Sequence, residues 1–121
     1  MLSSVFRLFA AAKPVSQAHI MAVKDIVETA INENRIMIFS KSSCPYCKRA
    51  KALFAAQFPE EKPVVFELNE REDGPAIQSY LAEKTGQRTV PNIFINKHHV
   101  GGNDDTQAAF KTGELGRLVQ G

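Results

Sequence analysis

Apolar and polar positions along this chain follow two different periods, and the switches between them mark out its elements. Val23, Ile26, Val27, Ala30 and Ile31 recur at helical spacing, which predicts a helix ending near Asn32-Glu33-Asn34. Ile36-Met37-Ile38-Phe39 is an unbroken apolar run of strand length, the pattern of a strand buried on both faces. Ser40 to Cys44 reads as a polar loop. Pro45 then opens a helix running to about Phe58, since proline at a first helical position lacks only an N–H that would have had no partner. Leu53, Phe54 and Phe58 supply its inner face. Pro59 and Pro63 bracket a turn, and Val64-Val65-Phe66-Glu67-Leu68 reads as a second strand. Strand, helix and strand in this order predict a right-handed crossover and a parallel pair.

Gly74-Pro75 begins a third helix, with Ile77, Tyr80 and Leu81 inward and a stop at Thr85-Gly86. Asn92-Ile93-Phe94-Ile95 is a third strand, Asn96-Lys97-His98 a hairpin turn, and His99-Val100 a short edge strand ending in Gly101-Gly102. A final helical segment follows from about Asp104, broken near Gly113, with Leu115, Leu118 and Val119 packing its last turns. The order αβαβαββα defines an α/β domain over residues 21–121.

Residues 1–20 stand apart. Leu2, Val5, Phe6 and Phe9 fall on one helical face, Ser3, Ser4 and Arg7 lie off it, and no acid is present. That is the composition of a mitochondrial transit peptide. Ala10-Ala11-Ala12 suggests a secretory signal instead, but Arg7 interrupts the apolar run such a signal needs; a plain disordered tail is the third reading. Met21 stands where the domain begins, so initiation there would give an untargeted form. The expected location is mitochondrial, cytoplasmic or both.

At 121 residues and 44% hydrophobic content the chain suffices for one domain with a single core. No apolar run approaches the roughly 18 residues of a membrane span. Of the 15 basic residues, Arg7, Lys13 and Lys24 precede the first acid, Asp25, so the body is nearly neutral against its 13 acids. That balance speaks against nucleic acid as a partner, which calls for a basic face. Neither membrane nor nucleic acid is expected to bind, and the chain is expected to be monomeric.

The only two cysteines, Cys44 and Cys47, lie three residues apart at the strand-to-helix switch. One close pair cannot form the disulfide framework of a small secreted domain, and a disulfide across so short a loop removes little chain entropy. Redox or metal chemistry remains. Cys44 precedes the helix beginning at Pro45, so unpaired N–H groups and the positive end of the dipole face its sulfur. Lys41, Lys48 and Arg49 add cations, and no acid lies between Glu33 and Glu60. Such settings lower a cysteine pKa to roughly 3.5–7.5, which makes Cys44 the expected nucleophile. Cys47, one turn into the helix and more buried, is the expected resolving thiol. A structural zinc needs four ligands. His19 lies in the leader, and the adjacent His98 and His99 point to opposite faces of a strand, so no metal is expected.

Cys44-Pro45-Tyr46-Cys47 with Lys41 upstream, Thr89-Val90-Pro91, and Gly101-Gly102-Asn103-Asp104-Asp105 occur in an order that resembles the dithiol glutaredoxins over about Val23 to Gln120. The resemblance implies a thioredoxin fold, a four-stranded mixed sheet flanked by helices. It also implies glutathione as reductant and co-substrate, glutathionylated or disulfide-bonded proteins as partners, and glutathione reductase as an indirect one. The glutathione site it implies comprises Lys41, Tyr46, Gln78, Arg88, Thr89, Val90, Pro91, Gly102, Asn103, Asp104 and Asp105. In that site Lys41 and Arg88 meet the glycine carboxylate, with Gln78 alongside. Pro91 is cis in the family, leaving the Val90 backbone to pair with the peptide like an added strand. Gly101-Gly102 admits a close backbone approach, and the helix beginning near Asp104 offers N–H groups to the γ-glutamyl carboxylate. An Asp, with Asp105 favoured, takes the α-amine. The family commonly carries Ser where Asp104 stands; an extra exposed charge there should weaken binding by about 0.5–1 kcal/mol.

Two other functions fit parts of the pattern. A thioredoxin is disfavoured by the absence of Trp and by Pro-Tyr between the cysteines. An iron–sulfur carrier bridging two subunits through one cysteine and glutathione is disfavoured by Pro45 and the second thiol, which can close a disulfide instead.

Overall fold

A computed structural model describes residues 16–121. Helix α1 spans Gln17–Glu33 and so begins ahead of the boundary expected at residue 21. Ser16 caps it, its hydroxyl accepting the His19 N–H at 3.0 Å. The extra turn escapes the apolar pattern because residues 16–22 are all exposed. The transit-peptide reading otherwise falls outside the described residues.

Strand β1 covers Ile36–Ser40, helix α2 Pro45–Gln57 and strand β2 Val64–Glu67. A short 3₁₀ turn, Leu68–Glu70, leads into helix α3, Gly74–Thr85. Strands β3, Asn92–Ile95, and β4, His98–Gly101, form a hairpin, followed by helices α4, Asn103–Thr112, and α5, Glu114–Gln120. Asn96 and Lys97 carry positive φ of 47° and 72°, the geometry of a two-residue turn that matches strand twist. Strand β4 therefore begins at His98, which the sequence reading placed in the turn.

Two boundaries differ in a way that bears on chemistry. Ser40 is the last residue of β1 and fully buried, not the first of a loop. Its polarity hides the strand's true end, but its pairing with Glu67 keeps the backbone extended. Leu68 leaves β2 to begin the 3₁₀ turn and buries its side chain there.

The sheet order is β2-β1-β3-β4. β1 runs parallel to β2 and antiparallel to β3, and β3 is antiparallel to β4, so the four-stranded mixed sheet implied by the resemblance is present. Alternation along β1 divides the core in two. Met37 and Phe39 face α1 and α3, where Val23, Val27, Ile31, Ile77, Leu81 and Phe94 close around them. Ile36 and Ile38 face α2 and α5, packing with Ala50, Phe54, Ile93, Ile95, Leu115 and Val119. Each large apolar side chain buried this way contributes about 1.5–3 kcal/mol. The α3 terminus is set by Gly74, where any Cβ would collide with the Leu68 carbonyl.

Candidate active site

Cys44 occupies the N-cap of α2 with extended backbone (φ −87°, ψ 120°). Its N–H donates to the Lys41 carbonyl at 3.0 Å, closing the preceding turn. Pro45 follows as the first helical residue, so the free amides of the first turn converge where the Cys44 sulfur sits. Burial pushes the Cys44 thiol up. The Cys47 amide and thiol, the Tyr46 amide and the Lys41 charge outweigh it, so Cys44 titrates below the ordinary cysteine range. Cys47 is fully buried, on the inward stripe it shares with Ala50, Lys51 and Phe54. Burial is its largest influence, and the neighbouring Cys44 adds to it. Together these hold the Cys47 thiol above the ordinary value, despite the Lys41 N–H, which donates to its sulfur at 3.4 Å, and the Ser40 hydroxyl. Two chemically identical side chains one helical turn apart are thus driven in opposite directions. The half-buried member, Cys44, is the better nucleophile.

Beside Cys44 opens a cleft of about 430 Å³ lined by Tyr46, Gln87, Thr89, Val90, Pro91, Gly102, Asn103, Asp104 and Asp105. Tyr46 is 54% exposed, and the Arg49 guanidinium lies over its ring at 5.4 Å. The Val90–Pro91 peptide is cis, and the Cys44 thiol faces the Val90 carbonyl at 3.8 Å. The carbonyls around Val90 are already engaged. Gln78 Nε2 donates to Arg88 O at 2.8 Å, and Gln87 Nε2 donates to Thr89 O at 3.0 Å and Pro91 O at 2.9 Å. Side chains thereby fix the loop on both sides of Val90, and its own carbonyl is the one turned toward Cys44.

The opposite wall is the N-terminus of α4. Gly102 N–H donates to Asp105 Oδ2 at 3.1 Å, and Thr106 Oγ1 donates to Gly102 O at 2.8 Å. Gly101 has φ +120°, and a Cβ there would strike the Asp105 carboxylate. One residue therefore requires glycine for both its backbone and its neighbour.

Tyr46, Thr89, Val90, Pro91, Gly102, Asn103, Asp104 and Asp105 of the expected site share this cleft. Lys41, Gln78 and Arg88 do not line it. Lys41 acts on the two sulfurs through its charge and its N–H. Gln78 is turned to the Arg88 carbonyl, and Arg88 is exposed beyond the loop. Gln87 is the cleft residue the sequence reading missed; polar and next to Gly86, it looks like any loop residue until the carbonyls it holds are known.

The glutaredoxin family model matches residues 36–100 of the chain. Glutaredoxin-C4 of Arabidopsis thaliana is 50% identical over 105 residues, 87% of this chain and 76% of that protein. Glutaredoxin-1 of Saccharomyces cerevisiae is 47% identical over 108 residues, covering 88% and 94% respectively. Among solved structures, a buckwheat glutaredoxin–glutathione complex superposes with a TM-score of 0.82 at 34% identity, over 88% of this chain and 94% of that one.

Proposed function

Because this chain belongs to the glutaredoxin family and is a glutathione-dependent thiol–disulfide oxidoreductase, we propose that Cys44 is its attacking thiol, Cys47 its resolving thiol and the cleft beside Val90 its glutathione site. The observation that carries the assignment is the asymmetry of the cysteines. Cys44 caps the helix at the mouth of the cleft with a lowered pKa, and Cys47 is sealed beneath it with a raised one.

With a glutathionylated protein, the Cys44 thiolate attacks the glutathione sulfur. A Cys44–glutathione disulfide forms and the protein leaves as a thiolate that takes up a proton. A second glutathione, as thiolate, then attacks the bound glutathione sulfur, releasing glutathione disulfide and restoring the Cys44 thiolate. With a protein disulfide, Cys44 attacks one protein sulfur. Cys47 then gives up its proton and attacks Cys44 Sγ, expelling the reduced protein and closing the internal disulfide. Two glutathiones reopen it. Glutathione reductase would regenerate the glutathione. Both cysteines and the cleft lie on one chain, so a monomer suffices.

In the cleft, the Val90 backbone, whose carbonyl is released by the Cys44 thiol once that group ionises, supports strand-like pairing with the glutathione backbone, and the α4 N-terminus supports the γ-glutamyl carboxylate. Asp105 spends Oδ2 on Gly102 and keeps its other oxygen for the α-amine. Lys41 and Arg88 remain candidates for the glycine carboxylate from outside the cleft. The buckwheat complex, a relative with glutathione bound, supports the same ligand here.

Paired serine variants in a glutathione- and NADPH-coupled assay test the assignment. Cys44→Ser is expected to lose all activity. Cys47→Ser is expected to keep deglutathionylation and lose reduction of protein disulfides. Equal losses in both would contradict the roles. For location, the amphipathic leader supports mitochondrial delivery, and a form begun at Met21 would lose, of the described residues, the Ser16 cap and the exposed first turn of α1. N-terminal sequencing of organelle and cytosol fractions should then find two forms; a single form in both would sink the idea.

A further inference from the structure

Beneath the resolving thiol lie buried polar groups that neither exchange reaction uses. Alternation along β1 puts Ser40 on the same sheet face as Ile36 and Ile38, under α2. Glu67, its register partner on β2, shares that face with Val65. The α2 stripe above them presents Cys47 and Lys51. Lys51 Nζ grips Glu67 Oε2 at 2.8 Å, but Glu67 Oε1 and Ser40 Oγ are both buried with no hydrogen-bond partner. A buried polar atom left unpaired costs about 1–3 kcal/mol, so two at facing positions beneath a reactive group call for a reason. The Ser40 hydroxyl has one hydrogen and two acidic neighbours, and it holds down the pKa of both the Cys47 thiol and the Glu67 carboxyl.

We propose that Ser40 is a positioning residue for the resolving step: its buried, unpartnered hydroxyl turns to Cys47 Sγ as the Cys47 thiolate forms. While Cys47 is a thiol, the hydroxyl lies unpaired beside the equally unpaired Glu67 Oε1. Once the proton leaves, the hydroxyl rotates to the sulfur and joins the Lys41 N–H already there. The electron pair on that sulfur then attacks Cys44 Sγ, the Cys44–partner bond breaks, and the departing thiolate takes up a proton. A hydrogen bond to an ionised acceptor is roughly twice as strong as a neutral one, so rotation favours the ionised state specifically. Glu67 is not the base. Burial raises its pKa, but Lys51 and Ser40 outweigh that and keep it ionised, a poor acceptor for a thiol proton. The charged and titratable groups around Cys47 are Cys44 and Lys51 on its own helix, Lys41 before it and Glu67 on β2; its neighbour Lys48 is exposed.

The inference rests on Cys47 being the resolving thiol. The experiment is single-turnover release of glutathione from a preformed Cys44–glutathione disulfide, followed against pH. Ser40→Ala is expected to move the inflection to higher pH and slow release severalfold at pH 7, with rates converging with wild type above the inflection. Glu67→Gln removes the competing charge and is expected to move the inflection the other way. Removing a buried hydroxyl that has no partner leaves folding intact, and Ser40→Thr, which keeps the hydroxyl, should recover part of the shift. A Ser40→Ala profile that is unshifted, or slowed equally at every pH, would overturn the proposal; so would slower release by Glu67→Gln. Cys47→Ser should show no internal release. If it does, the assignment of Cys47 fails, independently of Ser40.

Discussion

Replacing Gln87 with alanine isolates the contribution of the loop that presents Val90. The change removes one side-chain amide and, with it, the bonds to Thr89 O at 3.0 Å and Pro91 O at 2.9 Å. Each is worth about 0.5–1.5 kcal/mol net. The first is exposed and belongs at the low end; the second is partly buried and belongs nearer the middle. Together they bias the loop by about 1–2 kcal/mol, a factor of about 5–30 in population. Because Cys44 and Cys47 stand on α2, away from Gln87, the loss should fall on binding. In the coupled assay with a glutathionylated peptide, KM is expected to rise by up to that factor while kcat stays within about twofold. Gln78→Ala is the internal comparison. It loses one exposed bond to Arg88 O, worth about 0.5 kcal/mol, and should raise KM only about twofold. An unchanged KM in Gln87→Ala, or a larger effect from Gln78→Ala, would refute the idea that carbonyls around Val90 must be held for the site to form.

Two further outcomes follow from the same geometry. Tyr80 donates to Glu28 Oε2 at 2.6 Å, tying α3 to α1, and Lys84 shares that carboxylate at 2.9 Å; Tyr80→Phe should cost about 1–1.5 kcal/mol in urea unfolding. Burial and the Glu28 bond push the Tyr80 phenol up to about 12. The fold favours its neutral form, so the stability it adds is full below about pH 10 and lost as pH rises through 12, a loss that Tyr80→Phe should not show. Gly101→Ala forces a side chain into φ +120° and onto the Asp105 carboxylate, which should cost about 1–3 kcal/mol and raise KM for glutathionylated peptide; an unchanged denaturation midpoint would remove Asp105 from its place at the helix cap.

The parts legible in the sequence were those whose signal is local or periodic. The unbroken apolar run Ile36 to Phe39, the proline opening α2 and the turn at Asn96 each reflect physics acting within a few residues. The reactive cysteine was legible for the same reason, since the helix terminus and the cations that set its pKa lie beside it in the chain. What stayed hidden depends on contacts across the chain. Ser40 read as loop because nothing near it says that Glu67 will extend the strand. Gln87 carried no sign of the carbonyls it holds. Asp105 was expected for a ligand, and its bond to Gly102 emerges only when Gly101 turns the backbone through positive φ. Gln78 and Arg88 have the right chemistry for a peptide carboxylate, and their placement outside the cleft, Gln78 turned to the Arg88 carbonyl and Arg88 exposed, is likewise set by contacts across the chain.

The most direct measurement is the site of glutathione attachment. Reduced protein is mixed with glutathione disulfide, quenched with acid at successive times and mapped by mass spectrometry. Cys47→Ser should accumulate one glutathione, on Cys44, whereas wild type should pass through the same adduct to the internal disulfide. Cys44→Ser should take up glutathione far more slowly, because Cys47 is buried and its thiol held high. Glutathione appearing on Cys47 of Cys44→Ser as fast as on Cys44 of Cys47→Ser would contradict the division of labour between the two cysteines.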